Sequence, residues 1–327
     1  MADAIQVRRQ VILGTGGTIA GRAARAGDNV GYVAGQVRVD DLVTCVPPLA
    51  GLPLEVEQVA QIDSKDMDFA LWRQLANRVA YHLSRDDVDG VVITHGTDTL
   101  EETAYFLQAV LQPAKPVVLT CAMRPATALM PDGPQNLLDA VTAAGSGAVQ
   151  GVVVVCAGLI HSALHVAKVH SYRVDAAFDS GDAGPLGCVE EGRVRLFHPM
   201  ASMAVMPVVD AVGLARIQQA SALPKVELLT SHADTDGTLV RCLLAYGSAH
   251  PAQMPRGLVV ACTGNGTLHK SLLVALLEAQ AAGVRVVRAT RCARGRVIPD
   301  GQNPLPDSGG LSPVKARLAL ALDLLGI

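Results

Sequence analysis

Hydroxyl side chains set among glycines are the first residues in this sequence with chemistry to offer. Gly14-Thr15-Gly16-Gly17-Thr18 follows the apolar run Val11-Ile12-Leu13, and Thr94-His95-Gly96-Thr97-Asp98-Thr99 follows Val91-Val92-Ile93. A threonine hydroxyl is a weak nucleophile until a base takes its proton. Thr97 and Asp98 put a hydroxyl beside a carboxylate. Adjacent side chains in an extended turn diverge, so this pair can serve two tasks, one toward chemistry and one toward a substrate amine. A lysine acts as a base where desolvation or cationic neighbours suppress its charge. Lys168, flanked by Ala167 and Val169, is a candidate. Each residue also has a plain structural reading: Thr18 as a helix cap, Lys168 as a lysine laying its stem over apolar neighbours.

A strand, a glycine cluster and a helix also describe a phosphate cradle. The spelling argues against one. Counted from Gly14, G-x-G-x-x-G puts Ile19 where the third glycine belongs, and a P-loop counted from Gly16 reaches Gly21-Arg22 without the Lys-Ser/Thr pair. His161, His165 and His170 invite a metal reading, the first two on a shared helix face, but no carboxylate at fitting spacing and no cysteine joins them. His95 reads as structural, and Trp72 as helix packing against a sheet.

The elements that must position these residues follow an alternating rhythm. Strands are expected at Val11 to Leu13, Gly90 to Thr94, Lys115 to Leu119 and Gly151 to Val155, with helices at Thr99 to Leu111 and Asn136 to Ala144. Strands apolar on both faces and separated by helices belong to a parallel sheet covered on both sides, so the fold class is α/β. Ligands in such sheets sit outside the carboxyl ends of the strands, which points to Thr15 to Thr18, Thr94 to Thr99 and Ala122 to Arg124. The rhythm fades at residues 207–223 and resumes with strands at Val226 to Leu229 and Gly257 to Cys262 and helices at Lys270 to Ala282 and Pro313 to Leu325. The expected organisation is a large N-terminal catalytic domain over residues 1–206, a linker over 207–223 and a smaller C-terminal α/β domain over 224–327. No internal repeat or low-complexity tract interrupts it.

Half of the 327 residues are apolar, enough for a substantial core. The balance of 27 Lys and Arg against 30 Asp and Glu leaves no basic footprint for nucleic acid, so a small polar substrate fits better. Seven cysteines occur singly, without a Cys-x-x-Cys pair, and read as thiols of a reducing compartment. No apolar run approaches the ~20 residues that cross a bilayer, and the N-terminus lacks an apolar leader core, so no membrane partner and a cytoplasmic location are expected.

Taken together, the two signatures Ile12-Leu13-Gly14-Thr15-Gly16-Gly17-Thr18-Ile19-Ala20-Gly21 and Gly90 to Ala104 resemble the bacterial L-asparaginase and glutaminase-asparaginase family. Gly31-Tyr32, Ile62-Asp63-Ser64, Ala122-Met123-Arg124-Pro125, Asp132-Gly133-Pro134, Gly184-Pro185-Leu186-Gly187, Gly264-Asn265-Gly266 and Ser312 to Arg317 extend the resemblance over nearly the whole chain. It implies that Thr18 attacks a side-chain amide, with Tyr32 hydrogen-bonding to it from a mobile loop. It implies that Thr97, Lys168 and Asp98 form a supporting group, Asp98 also holding the substrate α-ammonium. Ser64 would bind the α-carboxylate and the backbone at Ala122 would meet the amide nitrogen. It further implies L-asparagine as substrate with glutamine as a second one, no cofactor or metal, and a homotetramer with active sites between subunits, the neighbour supplying Asn265.

The pattern departs at Lys65, where the family commonly has glutamine; a cation there would help hold the α-carboxylate and oppose the α-ammonium. The segment Arg291 to Gly310 is short, with Asp300, Gly301 and Gln302 where a partner-subunit glutamate is expected. Two other classes make different demands. A subunit deamidating glutamine on a larger substrate would carry an extra domain, and a non-catalytic amino-acid sensor would have lost a member of Thr18, Thr97, Asp98 and Lys168.

Overall fold

The computed structural model describes residues 8–200, 211–299, 301 and 303–327. The chain divides into two compact units, Met1–Asp210 and Ala211–Ile327.

The first unit is built on one eight-stranded sheet of β1 (Arg9–Gly16), β2 (Leu54–Ile62), β3 (Val88–Thr94), β4 (Val117–Thr120), β5 (Val152–Cys156), β6 (Leu159–Ser162), β7 (Gly187–Glu190) and β8 (Arg193–Leu196), in the order β2-β1-β3-β4-β5-β6-β7-β8. The first five strands in that order run parallel, and β6, β7 and β8 add an antiparallel edge. Four helices cover the sheet: α1 (Val39–Thr44), α2 (Phe69–Leu83), α3 (Leu100–Leu111) and α4 (Gly133–Gly145). Because side chains alternate across a strand, Ile12, Val92 and Val118 pack with Val39 and Leu42 of α1 and Leu137, Ala140 and Val141 of α4, while their neighbours Val11, Leu13, Val91 and Ile93 point to the opposite face. Those neighbours are also fully buried, which explains why the strands read as continuous apolar runs. Each such side chain contributes about 1.5–3 kcal/mol on leaving water.

One feature of this topology locates the site. From β1 the chain crosses to β2 on one side, whereas from β3 it crosses to β4 on the other. The loops after the adjacent strands β1 and β3 therefore part in opposite directions and open a crevice at their carboxyl ends.

The second unit begins with α5 (Ala211–Gln219), which is helical within the stretch read from sequence as a linker; residues 207–210 of that stretch lie outside the described residues. A parallel sheet of β9 (Val226–Thr230), β10 (Gly257–Cys262) and β11 (Arg285–Thr290) follows. One face packs on α6 (Thr238–Ala249) and α7 (Lys270–Ala281), the other on α8 (Pro313–Leu325). No helix among the described residues is long and apolar enough to cross a membrane.

Candidate active site

Glycines bring the loops of the first unit together. Gly16 (φ 106) and Gly17 (φ 80) lie in the left-handed region that favours glycine. A Cβ on Gly17 would run into the backbone of Gly96, and one on Gly16 would stand 2.6 Å from the amide nitrogen of Ile62. Gly17 N donates to Ile62 O at 2.8 Å. These glycines serve backbone-to-backbone approach of three loops, which is why the cluster does not spell a phosphate motif.

Thr18 opens a short turn, Thr18–Ala20, and is nearly buried. It caps nothing. Its Oγ1 lies 2.7 Å from the Tyr32 hydroxyl. Tyr32 is held there by a two-residue ribbon in which Ala23 pairs with Tyr32. Gly21 leaves room for the ring, since a Cβ on it would come within 2.8 Å of Tyr32 Cδ2. The ribbon is closed by Asp28, whose carboxylate accepts from Gly31 N at 2.7 Å and Val30 N at 3.0 Å, and these donors hold its pKa below the ordinary carboxylate value.

Lys168 Nζ donates to Thr97 Oγ1 at 2.8 Å and to Asp98 Oδ1 at 2.6 Å. Divergence was expected of Thr97 and Asp98; instead both converge on one ammonium. The segment bends over residues 97–99 into α3 rather than staying extended, which turns both side chains the same way. Lys168 reaches them from a two-residue strand, Ala167–Lys168, paired with Phe178–Asp179.

Ser64 ties this loop to the end of β2. Its Oγ accepts from Asp98 N at 3.1 Å, and its carbonyl accepts from Thr99 Oγ1 at 2.7 Å. The Ser64 hydroxyl proton has no acceptor among the described residues and is free for a carboxylate. The neighbouring Lys65 pairs with Asp63 at 2.7 Å and Asp66 at 3.4 Å, and those carboxylates raise its pKa. The charge imagined beside the substrate is already matched.

Ala122 is fully buried between two anchors. On one side Asn136 Nδ2 donates to Cys121 O at 3.0 Å; on the other Asp132 accepts from Met123 N and Arg124 N, both at 2.9 Å. The N–H and C=O of Ala122 itself make no hydrogen bond among the described residues, leaving a polar handle in a fixed place. Asp132 and Asn136 were not singled out from sequence for this work. Acidic and amide residues at a helix start suggest only capping, and their real partners lie across a loop.

His95 is fully buried and neutral, its pKa pushed down to about 4 by burial. Its Nδ1 donates to Gly96 O at 2.7 Å, while its Nε2 accepts from Thr103 Oγ1 at 3.0 Å. Thr103 in turn accepts from Trp72 Nε1 at 2.8 Å, so the lone tryptophan both packs and braces the second loop. His161 lies on strand β6, not on a helix shared with His165, and meets Ser180 at 2.9 Å. His165 meets Ser162 at 3.1 Å, and His170 accepts from Tyr172 N and Arg173 N. The three do not converge.

Asn265 belongs to the second unit. Its Oδ1 accepts from Ile298 N at 2.7 Å and its Nδ2 donates to Ile298 O at 3.0 Å, which fixes the amide plane and leaves the second Nδ2 hydrogen of this exposed side chain available to a ligand. Arg288 fixes the same turn by donating to Gly266 O at 2.8 Å. Asp300 and Gln302 lie outside the described residues.

A hydroxyl beside a tyrosine and a second hydroxyl beside a lysine–carboxylate pair thus stand at the switch point of an α/β sheet, where enzymes of this fold class bind their ligands. The family described as "Asparaginase, N-terminal" matches residues 9–202, and "Glutaminase/Asparaginase C-terminal domain" matches residues 225–325. The chain belongs to the asparaginase family. It is 37% identical over 322 residues to a glutaminase-asparaginase of Pseudomonas aeruginosa, covering 95% of this chain and 85% of that protein. It is 36% identical over 321 residues to L-asparaginase 2 of Escherichia coli, covering 96% and 88%. A crystal structure described as "Probable Cytoplasmic L-asparaginase from Campylobacter jejuni" superposes with a TM-score of 0.85 at 37% identity, covering 98% of this chain and 96% of that one.

Proposed function

We propose that this protein hydrolyses L-asparagine to L-aspartate and ammonia, and turns over glutamine as a second substrate, through an acyl-enzyme on Thr18. The observation that carries the reading is the 2.7 Å contact of a nearly buried threonine hydroxyl with Tyr32, facing a loop where Thr97, Lys168 and Asp98 form one hydrogen-bonded group. The Thr18 oxygen forms a bond to the amide carbon as its proton passes to the Tyr32 oxygen and the Tyr32 phenol hands its own proton on toward the amide nitrogen, which leaves the tyrosine neutral. The carbon–nitrogen bond then breaks, and the departing nitrogen takes a proton to leave as ammonia. Water, oriented by Thr97 and Lys168, attacks the ester and frees Thr18. Ser64 and Asp98 hold the substrate's α-carboxylate and α-ammonium, and the open backbone groups of Ala122 meet its amide. No cofactor takes part.

A homotetramer with active sites between subunits is part of this proposal. Exposed apolar side chains on α7, Val274 and Leu277, favour burial of that helix against another surface. The cytoplasm is the proposed location, supported by seven cysteines that are all free.

Ammonia release from pure protein, with asparagine and glutamine at matched concentration and Thr18→Ala alongside, tests the reading. The variant is expected to lose at least about a thousandfold in kcat; full activity in it would remove Thr18 as nucleophile.

A further inference from the structure

Outside the crevice, the first unit holds a cavity of about 310 Å³ that the proposed reaction does not use. Its floor is apolar, formed by Ile19, Leu42 and Leu137, all buried. Its polar lining includes Arg22 and Arg124. The Arg22 guanidinium has no ion-pair or hydrogen-bond partner among the described residues. Among the described residues that of Arg124 donates only to a neutral acceptor, Met130 O, at 3.1 Å. One carboxylate, Asp41, also lines the space, so two guanidiniums against one carboxylate leave it net positive. The exposed thiol of Cys45 stands on its wall.

Arg22 is exposed and its guanidinium meets solvent, so it is available to an anion that also fills the apolar floor. The apolar part gains from any hydrocarbon that fills it, and the planar donor fork matches a carboxylate in a way no neutral group does. The volume falls at the lower end of small-molecule sites, roughly 300–1,000 Å³. We infer that this cavity is a second binding site, for a small carboxylate with an apolar body, its head between Arg22 and Arg124 and its chain against Ile19, Leu42 and Leu137. The site lies behind the turn that carries Thr18, because Ile19 directly follows it.

Cys45 supplies the readout. The full chain is alkylated with iodoacetamide and modification of each cysteine followed by peptide mass spectrometry, with hexanoate, hexanamide or hexylamine present. Hexanoate at about nine times its Kd is expected to slow Cys45 alkylation about tenfold. The exposed thiols Cys242 and Cys292 should react at unchanged rates. Hexanamide and hexylamine should protect far less. Arg22→Ala, which removes no hydrogen bond or ion pair among the described residues, and Arg124→Lys, which keeps the charge but loses the fork, should each raise the half-protecting concentration of hexanoate about tenfold. Protection by hexanamide equal to that by hexanoate, protection by none of the three, or hexanoate protection undiminished in both variants would each overturn the assignment. Because alkylation is read without turnover, the outcome stands apart from whether asparagine is hydrolysed.

Discussion

Gly96 lies against Gly17 with no side chain between them: a Cβ on Gly96 would stand 3.1 Å from Gly17 Cα and 2.5 Å from Ser64 Oγ. The residues that follow these two glycines are Thr18 and Thr97. The loops that leave these two adjacent strands thus meet through a backbone contact that any larger residue would hold open, with Thr18 and Thr97 each one residue past it.

Gly96→Ala measures the worth of that contact. The added methyl has to displace Ser64 or part the two loops, an overpacking cost of about 1–3 kcal/mol. A displacement of the hydroxyls by about 1 Å should lower kcat about a hundredfold. Urea unfolding and ammonia release on the same preparation check both. A variant with wild-type kcat would mean that the loops need not touch.

Lys168 binds Thr97 and Asp98 with one ammonium, so the three should act as a unit. Lys168→Met and Thr97→Val are each expected to reduce kcat by about two to three orders of magnitude, and the double variant to lose little more than either alone. Effects that multiply instead would separate the two side chains into independent roles.

Lys65→Gln restores the residue common in the family but removes a cation already matched by Asp63 and Asp66. KM for asparagine should stay within about twofold of wild type, as expected for an exposed pair. A larger change in KM with kcat constant would place the Lys65 charge at the substrate.

Acid should loosen the brace behind the second loop. His95 falls from the ordinary 6.5 to about 4 in the folded chain, so the unfolded state binds the extra proton first as pH drops. The stability held by neutral His95 is complete above about pH 6.5 and is lost between there and about pH 4, a loss of roughly 3 kcal/mol. His161, also pushed down to about 4 by burial, adds to the loss over the same window. Urea midpoints from pH 7 to 4, for wild type and His95→Gln, should show the shallower decline in the variant; parallel declines would clear His95 of the effect.

Much of this protein is legible without coordinates. The parallel strands announce themselves because they are buried on both faces, so Val91-Val92-Ile93 and Val152 to Val155 are unbroken apolar runs. The matching strand β2, Leu54–Ile62, escapes that test: at one edge of the sheet, its charged Glu55 and Glu57 alternate with apolar residues. The short pairings that place Tyr32 and Lys168 leave almost no pattern, since two residues carry no period. Thr18, Thr97, Asp98 and Lys168 were named by residue type, and by likeness to a family.

Their relation to one another belongs to the tertiary structure. Sequence determined which side chains are available, because glycine and hydroxyl chemistry travel with the residue itself. Only the fold decided that Thr97 and Asp98 turn to the same lysine, that Asn265 bonds to the Ile298 backbone, and that Arg22 meets no partner among the described residues. Partners 34, 71 or 79 positions apart, as in Asp98–Ser64, Lys168–Thr97 and Thr15–Thr94, are chosen by strand order and loop path. Neither can be read from the composition of the segments they join.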